Sequence, residues 1–175
     1  MNVHVGLKDP IFELSSAMRH ASKLYDIIVK SNKPYLFLYT DSGPDHQVKY
    51  VRIQLALISL FLALDLDYLV AVRTSPGHSW KNPVEKIMSI LNLGLQCVRL
   101  MHQKMNKEFE EIMSKCNSMN DIRKVAEKTF SLKEGLKQSL NPMITLLNDV
   151  FERLQLKDEN FKTFEAASEL DINIL

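Results

Sequence analysis

The chain has 175 residues, 46% of them hydrophobic and 25% charged, which is typical of a globular domain and excludes a disordered chain. This length corresponds to one domain, or to one domain with an appendage. The formal net charge of +1 excludes a protein that binds nucleic acid through total charge alone, although a local basic stripe is compatible with it.

The N-terminal and apolar segments indicate neither export nor membrane insertion. MNVHVGLKDP lacks the basic start and apolar run of a signal peptide. The longest charge-free apolar run, residues 53–64, is shorter than the about 20 residues that span a bilayer. Cys97 and Cys116 lack metal-ligand spacing and are predicted to be core thiols in a reducing compartment. The sequence predicts a soluble, intracellular protein with no membrane partner.

Strand and helix patterns alternate over the first hundred residues. In chain order they predict a strand over 3–7, an amphipathic helix over 15–30, a strand over 35–39, an apolar helix over 47–64, a strand over 68–73 and a helix over 83–101. We expect 35–39 to be buried on both faces and to pair in parallel with 68–73 through the crossover helix 47–64, with 3–7 on its other side.

Residues 102–175 contain spread charges, one glycine and no convincing strand. Ser131 with Glu134 is typical of a capping-box helix start, and Asn141-Pro142 predicts a break between two helices. The chain is therefore predicted to be α/β over residues 1–101 and all-helical over 102–175. The closing ELDINIL is strand-like and reads more like a cut than a finish.

The stretch YLFLYTDSGPDH brings acids to the end of a predicted strand. Asp41 directly follows that strand, and the carboxyl ends of strands in open α/β sheets are where ligands bind. Gly43-Pro44 forces a turn that could bring Asp45 or His46 near the same point. Alternatively, Asp41 only initiates the turn, Asp45 caps the next helix, and His46 is a surface or capping histidine.

A second acid, Glu85, follows the second strand in SPGHSWKNPVE. Asn82 is a natural N-cap, Pro83 suits the first helical position, and Glu85 then falls in the first turn. Capping explains these residues without any function, yet a first-turn carboxylate can also point into a site. His78 and Trp80 are expected to be packing or surface residues. Two carboxylates at one sheet edge would suit a hard cation such as Mg²⁺.

The combination LFLYTDSGPDH, a helix, and YLVAVRTSPGHSWKNPVEKIM resembles the catalytic core of DDE transposases and retroviral-type integrases. The resemblance covers roughly residues 3–101 and is nearest to mariner-type and related eukaryotic elements. It implies a partial ribonuclease-H-like mixed sheet with flanking helices, in which Asp41 and Glu85 are the second and third acids of a catalytic triad. It also implies Mg²⁺ or Mn²⁺ as cofactor, DNA as partner and a nuclear location.

The chain departs from that family at its start. The first two strands, the first acid and the site-recognition domain have no counterpart, and Asp9, before Pro10, is expected to be a turn residue. The resemblance therefore implies a truncated, inactive core that binds metal weakly or not at all, and whose exposed sheet edge favours self-association. The alternative is a non-catalytic module that binds a protein partner through its helical half. An aspartate-nucleophile phosphohydrolase is disfavoured because Gly43 stands where a second aspartate is usual.

Overall fold

The computed structural model describes residues 2–9, 11–41, 43, 46–75, 77–165 and 167–172. They form a mixed α/β protein that is about 52% helical. In chain order the elements are β1 His4–Leu7, α1 Ala17–Ile28, β2 Tyr35–Thr40, α2 Val51–Ala63, β3 Tyr68–Arg73, α3 Pro83–Gly94, α4 Lys107–Met113, α5 Met119–Lys128, α6 Phe130–Glu152, β4 Gln155–Leu156, β5 Glu159–Asn160, β6 Lys162–Glu165 and α7 Glu169–Ile172.

These elements form two compact units, each discontinuous in sequence. One, here called the strand–helix unit, comprises Ser15–Ser89 and Ala166–Leu175. The other, the helical unit, comprises Met1–Leu14 and Ile90–Glu165. The chain thus divides differently from the predicted boundary after residue 101, because its first residues join the later part of the sequence.

The strand–helix unit is built on the predicted parallel strand pair. β2 pairs with β3 in parallel, with Tyr35 opposite Tyr68 and Thr40 opposite Arg73, which confirms the predicted pairing. α2 connects the two strands, as expected for a parallel crossover. Helices α1 and α2 pack together through a core of small and aliphatic side chains: Ala17, Ala21, Ile53, Ala56 and Leu60.

Helix α1 begins and ends where local chemistry requires it. The Ser16 hydroxyl accepts a hydrogen bond from the Arg19 N–H at 3.2 Å, which caps the helix start. After a short 3₁₀ turn at Val29–Ser31, Asn32 adopts the left-handed conformation with φ 47°. Asparagine tolerates this conformation, which ends the helix before Pro34 and turns the chain into β2.

The prediction that residues 35–39 are buried on both faces is wrong. β2 alternates between exposed and half-buried positions, with Tyr35 62% and Phe37 66% exposed. Only its other face, which includes Leu36, packs against the core of α1 and α2. A continuous apolar run cannot distinguish these arrangements, because aromatic residues are frequent in strands whether or not a second layer covers them.

Helix α2 starts later than predicted. Residues 48–50 form a turn, and the helix begins at Val51 after Tyr50, whose side chain makes no capping hydrogen bond. Ile53 and Leu60 are buried against α1, whereas Leu55 and Leu62 are exposed. Apolar residues therefore occupy both the packed face and the exposed face of this helix.

The position predicted for the first strand and the all-helical prediction for 102–175 are both wrong. β1 pairs in parallel with β6, with His4 opposite Lys162 and Leu7 opposite Glu165, rather than lying beside β2. A short antiparallel hairpin of β4 and β5 precedes β6. Each described sheet has two strands, and the predicted mixed sheet is not among them. These late strands are only two to four residues long, and β5 and β6 contain charged residues, so their sequences show no alternation of apolar and polar residues from which a strand could be predicted.

Helix α6 contradicts the predicted break at Asn141-Pro142, because it continues from Phe130 to Glu152 with Pro142 inside. Its N-cap is Thr129 rather than Ser131. Proline lacks the N–H that would bond to the carbonyl one turn earlier. For Pro142 that carbonyl is Gln138's. The adjacent Ser139 carbonyl accepts a hydrogen bond from the Gln103 N–H at 2.9 Å, so the segment before α4 contacts the same turn of the helix.

Two further predictions about residues 83–116 need correction. Helix α3 ends at Gly94 rather than near residue 101, and Cys97 in the following turn has φ 65°. Cys97 is exposed and Cys116 half-buried, so neither is a fully buried core thiol. Gly94 lies against Leu154, where an added Cβ would be 3.0 Å from the leucine methyls. The helix thus ends at a residue small enough for close packing.

Candidate functional site

The carboxyl ends of β2 and β3 form one edge of the strand–helix unit. The Thr74 backbone N–H and hydroxyl both donate to the Thr40 carbonyl, at 2.9 and 3.1 Å. Thr74 is buried, so this pair of hydrogen bonds fixes the strand ends relative to each other. The chain then leaves β2 through Asp41 and leaves β3 through the loop that leads to α3.

Asp41 occupies the predicted position at this edge, and its carboxylate takes part in a turn. Asp41 Oδ1 accepts a hydrogen bond from the Gly43 N–H at 3.1 Å, which is the Asx-type turn expected as the structural alternative. An added Cβ on Gly43 would lie 3.1 Å from the same oxygen, so glycine permits the close approach. The side chain stays exposed. A turn role is therefore confirmed, and it leaves Oδ2 available for a ligand.

The start of α3 matches the capping prediction. Asn82 is buried, and its Oδ1 accepts from the Val84 N–H at 3.1 Å. Pro83 is the first helical residue, and the Glu85 N–H donates to the Asn82 carbonyl at 3.0 Å. Glu85 lies in the first turn with its side chain exposed. The anchored Asn82 therefore holds this carboxylate at the start of the helix that follows β3.

The donor chemistry at this edge fits a hard divalent cation in part. Asp41 and Glu85 offer carboxylate oxygens from one compact unit, and Mg²⁺ is commonly held by one or two carboxylates with its remaining positions taken by water. Within the described part of the chain, no group of three or more His, Cys, Asp or Glu is arranged to hold a metal ion. The described residues therefore offer two carboxylates on the segments that follow β2 and β3, and no three-acid group.

His46 packs against a histidine of α1. The His46 and His20 rings are 4.5 Å apart between centroids and inclined by 58°. His46 is half-buried, and its backbone N–H donates to the Gly43 carbonyl at 3.0 Å. It is therefore part of the packing between the turn and α1 rather than a simple surface residue. Asp45, the other lesser candidate, lies outside the described residues.

The remaining polar candidates have structural roles. Asp9 Oδ1 accepts from the N–H groups of Ile11 and Phe12 at 2.7 and 3.1 Å, which confirms it as a turn residue. His78 and Trp80 are both exposed, with their rings 6.4 Å apart. They are surface residues of the loop before α3.

Sequence patterns missed three polar residues near this edge: His20, Thr40 and Thr74. Thr40 Oγ1 is buried without a hydrogen-bond partner among the described residues. For Thr40 and Thr74 the sequence did offer an indication. Thr40 is the last residue of an apolar strand and Thr74 directly follows one, and ligands bind at the carboxyl ends of strands in such sheets. Nothing in the sequence around His20 indicated that its ring would meet His46, because that contact joins residues 26 positions apart.

Comparison with known protein-family models, curated proteins and solved structures finds no match to this chain. Among the described residues, no helix is both long enough and apolar enough to span a membrane.

Proposed function

We propose that residues 15–89, the larger segment of the strand–helix unit, are a partial DDE-type transposase or integrase core, related in fold to ribonuclease H, and that the chain itself does not cut or join DNA. One observation carries the proposal. Asp41 and the capped helix bearing Glu85 follow two adjacent parallel strands in the same direction. This is the arrangement that the sequence resemblance implies for the second and third acids. DNA as partner and a nuclear location belong to the same proposal.

In this function Asp41 and Glu85 are the metal ligands. Asp41 contributes Oδ2, because Oδ1 bonds to the Gly43 N–H, and Asn82 holds the first turn of α3 so that Glu85 keeps its place. Bound Mg²⁺ or Mn²⁺ would supply Lewis-acid activation of phosphate oxygens. The chain's own residues position the ion and leave its remaining sites open to water.

Two carboxylates are insufficient for the strand chemistry. Phosphoryl displacement in such centres uses two metal ions about 4 Å apart, and a misplacement of about 1 Å can cost about a hundredfold in rate. A chain with two of three acids loses a ligand for one ion, and excess metal does not restore the lost geometry. We therefore expect weak binding of a single ion and no DNA cleavage.

Metal binding tests the proposal directly. Amide resonances near residues 40–43 and 82–86 should broaden on titration with Mn²⁺, and the broadening should disappear in Asp41→Ala and in Glu85→Gln. Asp67→Ala is the matched control, because Asp67 is an exposed acid just before β3, at the opposite end of the strand. Broadening that both site variants leave unchanged would refute the proposal.

Nicking assays test the predicted inactivity. Supercoiled plasmid incubated with the chain and Mg²⁺ or Mn²⁺ should remain intact, as it should with Asp41→Ala. Metal-dependent nicking that Asp41→Ala abolishes would show that a third ligand is present, and Asp9 and Asp45 would be the first residues to substitute.

A second candidate function, protein interaction without catalysis, is favoured by exposed apolar surface. Tyr35, Phe37 and Tyr39 on one face of β2 are exposed, and Tyr68 lies opposite Tyr35 on β3. Exposed aromatic clusters of this kind favour association with another chain, as does a strand edge that has no partner strand among the described residues. Self-association through this face is the form of interaction that we propose.

A further inference from the structure

A cavity of about 260 Å³ lies inside the strand–helix unit, between α1, α2 and the carboxyl ends of β2 and β3. Its walls are largely apolar and consist in part of four alanines: Ala17, Ala21, Ala56 and Ala71. Larger side chains at these positions would fill the space, so the small residues create the cavity. By volume it could hold a molecule of roughly ten non-hydrogen atoms at the packing density of protein interiors.

The polar groups of the cavity lie at the strand ends. Thr40 is on the face of β2 that points toward the helices, as are Leu36 and Leu38, because side chains alternate along a strand. Its hydroxyl is buried and has no hydrogen-bond partner within the described ranges. Buried polar groups are nearly always hydrogen-bonded, so this hydroxyl indicates a partner that enters from outside the chain.

His20 and His46 line the same cavity, with their rings 4.5 Å apart. Together with Thr40 they bring hydroxyl and imidazole groups to an otherwise apolar space. This combination of an apolar body and a few convergent polar groups, at the carboxyl end of parallel strands, is typical of small-molecule sites. Asp41 directly follows Thr40 and carries negative charge, which disfavours an anionic ligand at this end.

We propose that this cavity binds a small, uncharged, ring-sized apolar molecule with one hydroxyl-type head, which hydrogen-bonds to Thr40 and to His46. The apolar body lies between α1 and α2 against the alanine walls. The site does not depend on metal or on Glu85, so its failure and that of the proposed transposase-like function are separate outcomes.

Three probes that share one methyl-substituted ring and differ in the head group test the head and its charge: 4-methylphenol, toluene and 4-methylbenzoate, each titrated into the full chain and followed by amide chemical shifts. We expect saturable shifts at the cavity residues with 4-methylphenol, and binding about fivefold weaker for toluene, which lacks the hydrogen bond. 4-Methylbenzoate should bind more weakly than 4-methylphenol. Equal binding of toluene and 4-methylphenol, or tighter binding of the carboxylate, would overturn the proposed head chemistry.

Two variants test the location. Ala71→Ile fills the cavity from β3 and should abolish binding of all three probes, with far-UV circular dichroism checking that the chain stays folded. If that variant unfolds, Thr40→Val supplies the test, because it keeps the side-chain shape and should remove the preference for 4-methylphenol over toluene. His46→Ala should reduce the same preference, whereas His78→Ala, in an exposed loop of the same unit, should leave it unchanged. Absence of saturable shifts, or unaltered binding by folded Ala71→Ile, would refute the site.

Discussion

Helix α2 offers a direct test of which of its faces holds the strand–helix unit together. Leu60 is 0% exposed, whereas Leu62, two residues later on the same helix, is 69% exposed. Substituting alanine at either position changes helix propensity by the same amount, because both substitutions are leucine to alanine. The difference between the two variants therefore isolates the value of burial.

The expected magnitude follows from the burial of Leu60 among Ala17, Ala21 and the other core residues. Leu60→Ala removes three carbons, about 2.4 kcal/mol of transfer free energy at about 0.8 kcal/mol per CH₂. The cavity left behind adds to this, as in buried leucine-to-alanine series that lose about 2.7–5.0 kcal/mol. We expect a loss of about 3–4 kcal/mol for Leu60→Ala and below about 0.5 kcal/mol for Leu62→Ala.

Urea denaturation followed by circular dichroism measures the free energy of unfolding, and amide hydrogen exchange over 51–63 shows whether the loss belongs to this unit. Both variants should be measured at low concentration, where association between chains is minimal. A loss for Leu62→Ala that equals the loss for Leu60→Ala would refute the assignment of a packed face and an exposed face to α2.

The remaining predictions concern two helix caps and the exposed sheet face. Hydrogen bonds lower the pKa of Asp121, chiefly from the Ser118 hydroxyl, and of Asp171, chiefly from the Ser168 backbone N–H, below the ordinary 3.8. Because the folded pKa is the lower one, this stabilisation is complete above pH 3.8 and is lost as the pH falls through the folded value. As the pH is lowered below 3.8, the urea midpoint should fall more in the wild type than in Asp121→Asn; an equal fall would contradict this. Ser118→Ala should remove the cap of α5, cost about 1 kcal/mol in urea unfolding and raise the pKa of Asp121; an unchanged carboxyl titration by NMR would argue against the assigned cause. Phe37→Ser should weaken self-association in analytical ultracentrifugation, whereas Phe130→Ser, equally apolar and 75% exposed on α6, should not; a monomeric wild type at micromolar concentration would refute the association itself.

The candidate site was predictable where the relevant contacts are local. The Asx turn of Asp41 and the Asn82 cap of α3 each depend on residues two positions apart. Their side chains can form these bonds wherever the chain turns, so the residue types were sufficient evidence. The pairing of His20 with His46 and the cavity beside it were not predictable, because they require two helices and two strands to be packed first.

The sequence by itself determined the strands at 35–39 and 68–73, their parallel pairing through α2, the presence of helix α1 and the first turn of α3. Apolar runs, caps and the short length of the connecting segments leave few alternatives for such local units. Tertiary structure decided which faces are covered, how β1 pairs and whether Pro142 interrupts α6. Leu60 and Leu62 are the same residue type on one helix, yet one is buried and the other exposed. β1 pairs with β6, a strand near the other end of the chain, with His4 opposite Lys162. The Gln103 N–H bonds to the carbonyl of Ser139, in the helical turn before Pro142. Each of these outcomes depends on a partner distant in sequence. The contact contributes to the free energy of folding only after that partner has packed in place.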